Sequence, residues 1–380
     1  MRIERFDYQL PAGCVAQEPS IRRDASRLLL LPRRGQLDYQ FRRFDELADH
    51  LEAGDLLVVN DARVVPARLW ARRASGGLVE LLLVRPAAAA SFVADGEPGP
   101  RWEAMVRPSR RLAVGERLAI LPGGKDEPAR PAANEPKATS PGRHDLALQV
   151  DVVGELAGGR RLLAFPPASD VPALLESHGV MPLPPYIERS RGDRRQELDR
   201  QRYQTIYARV PGAIAAPTAG LHFTRRSRQR LAAAGVGWAS LTLHVGPGTF
   251  QPLRCEHVEE HVMEPERYVI PQRTVDAIAE ARTGGGRIVA VGTTVVRALE
   301  HAVRRHGRLE AGEGRADLYI TPGFRFRLVD AMVTNFHLPR STPILLGAAL
   351  AGRERLLAAY RAAIEAGFRF YSYGDAMLVR

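Results

Sequence analysis

Apolar positions along this chain come in two textures. In residues 56–59, Leu-Leu-Val-Val follows Gly54-Asp55 and precedes Asn60-Asp61. An unbroken apolar run closed by turn formers predicts a buried strand. From Arg68 to Phe165 the runs are shorter and are punctuated by Gly- and Pro-rich turns. Six strand-like runs, 68–73, 78–84, 101–107, 117–121, 145–153 and 160–165, show no helical periodicity and predict a small antiparallel β-barrel. Within this stretch, 122–144 is rich in Pro, Ala, Gly and charge and reads as a surface loop. Beyond about residue 170 the pattern changes again. Thr224 can cap a helix running to Gly235, 238–245 reads as a strand, 274–282 as a helix ended by Gly284–Gly286, 287–291 as a strand and 295–305 as a helix. Alternating strands and helices predict an α/β layer with parallel pairing. The strand at 56–59 needs neighbours, which the later α/β region can supply. The expected fold class is therefore α/β: a discontinuous mixed α/β catalytic domain formed by 1–63 and 157–380, with a small antiparallel β-barrel domain inserted at 64–156.

Composition narrows the class of protein. With 45% apolar and 26% charged residues, the 380-residue chain is an ordinary globular one. The longest apolar stretch, Pro343–Ala351, is far shorter than the roughly 18 residues a membrane-spanning helix needs. The first residues, Met-Arg-Ile-Glu-Arg-Phe-Asp, carry charge where a signal peptide has an apolar core, so the expected location is the cytoplasm. Cys14 and Cys255 make neither a disulfide framework nor a four-thiolate zinc site. The net charge of +11 suits a polyanionic partner. Because Lys125 and Lys137 are the only lysines, the same balance also fits the arginine bias of GC-rich coding.

Several segments carry candidate chemistry, each with a plainer alternative. Gly292-Thr293-Thr294 falls between a predicted strand and helix, where free amides, two hydroxyls and Arg297 one turn on would hold a carboxylate or phosphate. Alternatively, a threonine caps the helix and Arg297 is solvated. Gly246-Pro247-Gly248 resembles a nucleotide-binding turn, but Gln251-Pro252 prevents the helix that should follow. His257-Val-Glu-Glu-His261 spells an inverted zinc-peptidase signature, yet Pro265 follows closely and no third ligand stands out, so no metal site is assigned. Seven of the ten histidines lie between His222 and His337, several beside glycine or proline at expected strand or turn ends. That density makes the α/β region the expected seat of acid–base chemistry. Arginines at 225, 226, 228 and 230, and at 107, 110 and 111, suit RNA phosphates or simply form solvated faces.

Taken together, several stretches resemble one family, the S-adenosylmethionine:tRNA ribosyltransferase-isomerases of queuosine biosynthesis. The stretches include Phe6-Asp-Tyr-Gln-Leu-Pro, Gly54-Asp-Leu-Leu-Val-Val-Asn60, Arg63-Val-Val-Pro-Ala-Arg68 and Met181-Pro-Leu-Pro-Pro-Tyr-Ile187. They continue through Gly212-Ala-Ile-Ala-Ala-Pro-Thr-Ala-Gly-Leu-His-Phe223, Thr242-Leu-His-Val-Gly-Pro-Gly-Thr-Phe250, Ala290-Val-Gly-Thr-Thr294, Thr334-Asn-Phe-His-Leu-Pro339 and Tyr371-Ser-Tyr-Gly-Asp-Ala-Met377. All run in the family's order from near the first residue to near the last.

The resemblance implies that S-adenosylmethionine is consumed as a ribosyl donor, with no cofactor and no metal. The acceptor is the aminomethyl group of 7-aminomethyl-7-deazaguanine at the wobble position of a tRNA. The products are epoxyqueuosine-tRNA, adenine and methionine. The sulfonium acidifies the C5′ protons and leaves as methionine, so the protein must supply a base, a proton for adenine and a place for an unprotonated amine. Under this resemblance the candidate acid–base groups are His222, His244, His337, Glu266 and Asp375. Gly246, Gly248, Thr249, Gly292, Thr293, Thr294 and Arg297 are candidates for holding the donor. Arg107, Arg110, Arg225 and Arg226 are candidates for the RNA. The enzyme is expected to act as a monomer, away from membranes. A conventional methyltransferase and a non-catalytic RNA-binding module are the competing readings.

Overall fold

A computed structural model describes residues 1–87, 99–109, 112–123, 148–246, 248, 253 and 255–380. It divides into two units. One comprises Met1–Val64, Leu183–Glu188 and Arg202–Arg380, and the other Val65–Pro182 and Arg189–Gln201.

In chain order, the first unit begins with β1 (Arg27–Leu31), β2 (Gln40–Arg43), β3 (Leu56–Asn60) and the short β4 (Ala62–Val64). The second unit then supplies β5 (Arg68–Arg73), β6 (Leu78–Pro86), β7 (Arg101–Arg107), β8 (Arg117–Leu121), β9 (Gln149–Leu156), β10 (Arg160–Ala164) and helix α1 (Val171–His178). Helix α2 (Gln196–Arg202) leads back to the first unit. There follow β11 (Val210–Ala213), α3 (Arg225–Ala233), β12 (Gly237–Leu243), β13 (Glu266–Ile270), α4 (Gln272–Thr283), β14 (Ile288–Val291) and α5 (Thr293–His306). The chain closes with β15 (Gly312–Ala316), β16 (Ala331–Asn335), α6 (Thr342–Ala351), α7 (Arg353–Glu365) and β17 (Ala376–Val379).

Nine strands of the first unit form one sheet in the order β15-β13-β12-β3-β14-β16-β17-β1-β2. The central four, β12, β3, β14 and β16, are parallel. β17 runs antiparallel to β16 and parallel to β1. Successive residues of these strands enter opposite cores. Leu56, Val58, Ile288, Ala290, Met332 and Met377 pack on one face. Leu57, Val59, Val289, Val291, Val333 and Leu378 pack on the other. A sheet covered on both faces has no polar side to display, which is why these strands read as unbroken apolar runs.

The barrel strands behave differently. β5 through β10 close in the order β10-β7-β6-β5-β8-β9 with antiparallel pairing throughout. Only alternate residues, such as Leu69, Ala71, Leu81, Val150 and Val152, point inward. The fold is thus a mixed α/β sheet with a closed antiparallel barrel. The expected boundary at 156/157 is corrected by this geometry, because it cuts the barrel before its last strand. Gly158 and Gly159, with φ of 72° and 76°, make a tight turn joining β9 to β10. Most of 122–144 lies outside the described residues.

Candidate active site

The carboxyl ends of the central strands, the usual ligand position in an open α/β sheet, converge with the segments entering β17 and β1. Here a cavity of about 590 Å³, open to solvent, is lined by Thr293, Thr294, Asn335, His337, Tyr186 and Tyr371, among others. A second, much tighter cavity with about 20 Å³ of room, enough for one water, shares Thr293, Thr294 and Pro343 with the first.

Helix α5 opens onto both cavities. Its N-cap, Gly292, has φ 94° and donates its N–H to the Val333 carbonyl at 2.8 Å, a backbone turn that suits glycine. No side chain caps this helix, so its first amides are left without helical partners. The Thr294 Oγ1 is buried and has no hydrogen-bond partner among the described residues. Arg297 is placed otherwise than expected. Its guanidinium donates to Glu266, to the Ala316 carbonyl at 2.9 Å and to the Leu318 carbonyl at 3.3 Å. Although it borders the smaller cavity, these bonds hold it in the protein rather than leaving it free for a ligand.

The five acid–base candidates separate sharply. His337 lines the larger cavity. Its Nε2 lies 2.7 Å from Thr334 Oγ1, its backbone N–H donates to Tyr360 Oη at 3.0 Å, and Nδ1 has no partner among the described residues. Burial lowers its pKa to about 3, keeping the ring neutral. His222 is buried and bonded at both nitrogens. Asn335 Nδ2 donates to its Nε2 at 3.3 Å, so Nδ1–H faces Ser26 Oγ at 2.7 Å. Burial, with Arg369 and Arg23 nearby, lowers the His222 pKa to about 3. His244 lies against Gly212, where a Cβ would come within 3.0 Å of the ring, and its buried Nδ1 is unpartnered. Burial and Arg267 lower its pKa.

Glu266 accepts from the Gly246 amide at 2.9 Å and from Arg297. Burial pushes its carboxyl upward against the pull of those partners. Asp375 accepts from the Arg27 and Arg369 amides at 2.9 and 2.7 Å, tying the start of β1 to the approach to β17, and burial raises its pKa too. Of the five, His337 borders the larger cavity. The other four border neither cavity.

Sequence reasoning missed the cavity's aromatic and amide groups. Tyr371 adopts φ 70°, an uncommon backbone for a bulky residue, and its carbonyl accepts from Asn335 Nδ2 at 3.0 Å. Its ring centroid lies 4.7 Å from that of Tyr186, whose hydroxyl is 2.8 Å from Ser372 Oγ. Asn335 Oδ1 is buried and unpartnered. The signal was within the quoted segments Thr334–Pro339 and Tyr371–Met377, where histidine and aspartate drew attention away from Asn335 and Tyr371.

The family model described as queuosine biosynthesis protein matches residues 3–379. The chain belongs to this family. It is 45% identical to the S-adenosylmethionine:tRNA ribosyltransferase-isomerase of Geobacter metallireducens, across all of both chains. It is 48% identical to the protein of that name from Anaeromyxobacter, covering all of this chain and 99% of the relative. A crystal structure of S-adenosylmethionine tRNA ribosyltransferase from Thermotoga maritima matches with a TM-score of 0.52 and 36% identity, over 99% of this chain and all of that one.

Among the residues the family resemblance brought forward, Gly246 meets Glu266 through its amide, and Gly248 lies near the Glu264 carboxylate. Neither glycine lines the two cavities. Thr249 and Arg110 lie outside the described residues. Arg107 is exposed at the end of β7. Arg225 and Arg226 are exposed in the first turn of α3 and have no ion pair among the described residues. Their neighbours are engaged: Arg228 lies over the Trp238 ring at 5.2 Å, and Arg230 reaches Asp49 at 2.9 Å. His257 and His261 flank a single 3-10 turn, Val258–Glu260, rather than a regular helix. No described helix is long and apolar enough to cross a membrane.

Proposed function

We propose that this chain transfers and isomerises the ribosyl group of S-adenosylmethionine onto 7-aminomethyl-7-deazaguanine at the tRNA wobble position, giving epoxyqueuosine-tRNA, adenine and methionine. It is a transferase of the S-adenosylmethionine:tRNA ribosyltransferase-isomerase type. The observation that carries this reading is the family match over 3–379, which includes every strand end bordering the larger cavity. The donor is consumed, and no cofactor is assigned. The enzyme works as a monomer in the cytoplasm, with tRNA as its macromolecular substrate.

His337 is the acid–base group best placed for the reaction. If Nε2–H donates to Thr334, Nδ1 is the acceptor facing the cavity, and a ring held neutral is ready to take a C5′ proton. Its low proton affinity then favours returning that proton to the departing adenine. Tyr186 and Tyr371 offer aromatic surface to a purine-like base, and Asn335 Oδ1 offers a hydrogen-bond acceptor. The deciding assay incubates protein with labelled donor and tRNA carrying the aminomethyl base. Adenine and methionine should appear in equal amounts with the new nucleoside. Formation of S-adenosylhomocysteine, or binding without turnover, would overturn this reading.

A further inference from the structure

The carboxyl end of α5, away from the cavities, carries a cluster of positive charge that the transfer chemistry does not use. Elsewhere on the surface arginines are commonly answered by carboxylates, as in Arg117–Asp151, Arg230–Asp49 and Arg267–Glu313. Arg34, Arg304, Arg305, Arg325 and Arg327 are exposed and have no ion pair among the described residues. Arg304 and Arg305 sit in the last turn of α5, where cations offset the helix dipole. That accounts for two of the five. Arg34 follows β1, and Arg325 and Arg327 belong to the loop before β16, so three segments bring like charges together against their mutual repulsion. Other contacts fix the geometry of this cluster. Arg304 Cζ lies 4.1 Å from the centre of the Phe324 ring, and its Nη2 donates to the Arg325 carbonyl at 3.0 Å. The Phe324 and Phe326 rings meet edge to face at 5.0 Å, and Arg33, beside Arg34, lies over Phe326 at 5.7 Å. Glu300, fully buried on α5, accepts from the amides of Arg327, Leu328 and Val329 at 3.0, 2.9 and 2.9 Å. A buried carboxylate thus holds the backbone that displays Arg325 and Arg327. Guanidinium groups set out in advance on aromatic rings and a pinned loop suit the phosphates of a nucleic-acid backbone.

We propose that this face is a second contact for the substrate tRNA and holds its sugar–phosphate backbone outside the anticodon loop. The proposal rests on the ribosyl-transfer reading, which brings tRNA to the protein, and deepens it. Helix α5 starts at the larger cavity and is 14 residues long, so its far end lies about 20 Å away. A nucleotide seated in the cavity does not reach that far. The arginines therefore meet phosphates of a neighbouring stem, adding affinity and salt dependence without reading any base.

Binding of full-length tRNA to the whole protein, measured over a range of salt concentrations, tests the proposal. The variant combining Arg34→Ala, Arg325→Ala and Arg327→Ala removes three side chains that make no hydrogen bond, ion pair or ring contact among the described residues. Its tRNA affinity should fall about tenfold or more, and the slope of log affinity against log salt should drop by about two to three, as for three lost phosphate contacts. Lysine at the same three positions should keep most of both. Donor binding and the urea midpoint should match the wild type. An oligonucleotide of the anticodon loop alone, too short to span the distance, should bind the wild type and the alanine variant equally. Unchanged tRNA affinity and slope in the alanine variant would overturn the proposal, as would equal losses on the loop oligonucleotide or equal losses with lysine. The single change Arg325→Glu should act in the same direction, so the test does not hang on one variant. Failure of the wider reading looks different: tRNA binding depends on these arginines, yet no adenine is released from the donor with the modified tRNA.

Discussion

The barrel and the nine-stranded sheet use polar groups in opposite ways. In the barrel unit, charge stays mostly at the surface, as in the Arg73–Glu116 and Arg85–Glu103 pairs. Its buried charged residues, Arg161 and the Arg189–Asp199 pair, are bonded to neighbours. The sheet unit buries Asp24, Asp61, Glu266, Glu300 and Asp375. It also leaves Thr294 Oγ1 and Asn335 Oδ1 without partners at its cavity wall. Among the unsatisfied interior groups of the sheet unit, Thr294 Oγ1 and Asn335 Oδ1 belong to residues lining a cavity, whereas His244 Nδ1 does not. The difference locates chemistry better than a count of histidines does.

Four experiments test that contrast. The largest effect is expected at the cavity wall. His337→Ala should slow adenine release by about 10²–10⁴-fold while donor binding persists, the range for loss of a positioned acid–base group. Full turnover in this variant would remove His337 from the chemistry. In the barrel, Leu81→Ala should cost about 2–5 kcal/mol in urea unfolding, as large-to-small changes in packed cores do. Its donor KM should stay unchanged, and a raised KM would break the division of labour.

Acid should weaken the sheet unit through its buried imidazoles. His222 and His337 titrate near 3 when folded, against 6.5 as the ordinary value. Between those values the unfolded chain binds more protons, so stability falls as pH drops below about 6.5. Glu266 and Asp375 act in the opposite sense: their raised pKa values favour the folded state at acid pH, and that contribution is lost as pH rises through them. His222→Gln should flatten the dependence by about 1.4 kcal/mol per pH unit between about pH 4 and 6, read from urea midpoints. An unchanged slope would mean the ring is already charged in the folded protein. The smallest effect concerns RNA. The double change Arg225→Ala with Arg226→Ala should lower the salt dependence of tRNA binding by about two counterions, and Arg107→Ala by about one. An unaltered salt dependence in either variant would take its arginines off the RNA.

Much of the fold was legible. Barrel strands alternate and are bounded by turn residues, and β3 and β14 are apolar runs between Gly, Asp and Asn signals. By contrast, β16 and β17 are short runs that look alike in helix and strand, even though Gly374-Asp375 marks the start of β17. At the site, Gly292, Thr293 and Thr294 were placed correctly at a helix start because strand–turn–helix order is a local property. The fate of Arg297 was not, since its partner Glu266 and the carbonyls of Ala316 and Leu318 come from other strands and loops. His222 looked as reactive as His337. Long-range bonds to Ser26 and Asn335 occupy one ring and leave the other facing a cavity. Nor does composition reveal a left-handed backbone at Tyr371, which the surrounding contacts impose.

The position of β17 bears on how the chain is made. β1 pairs on one side with β2 and on the other with β17, residues 376–379. During synthesis from the amino end, β1 emerges more than three hundred residues before the strand that joins it to β16. Until then the nascent sheet has two exposed edges, and a leucine-rich ribbon waits for its partner. The strand that seals the sheet is therefore made long after the first strand it joins, and until then both edges stay open to pairing with other chains.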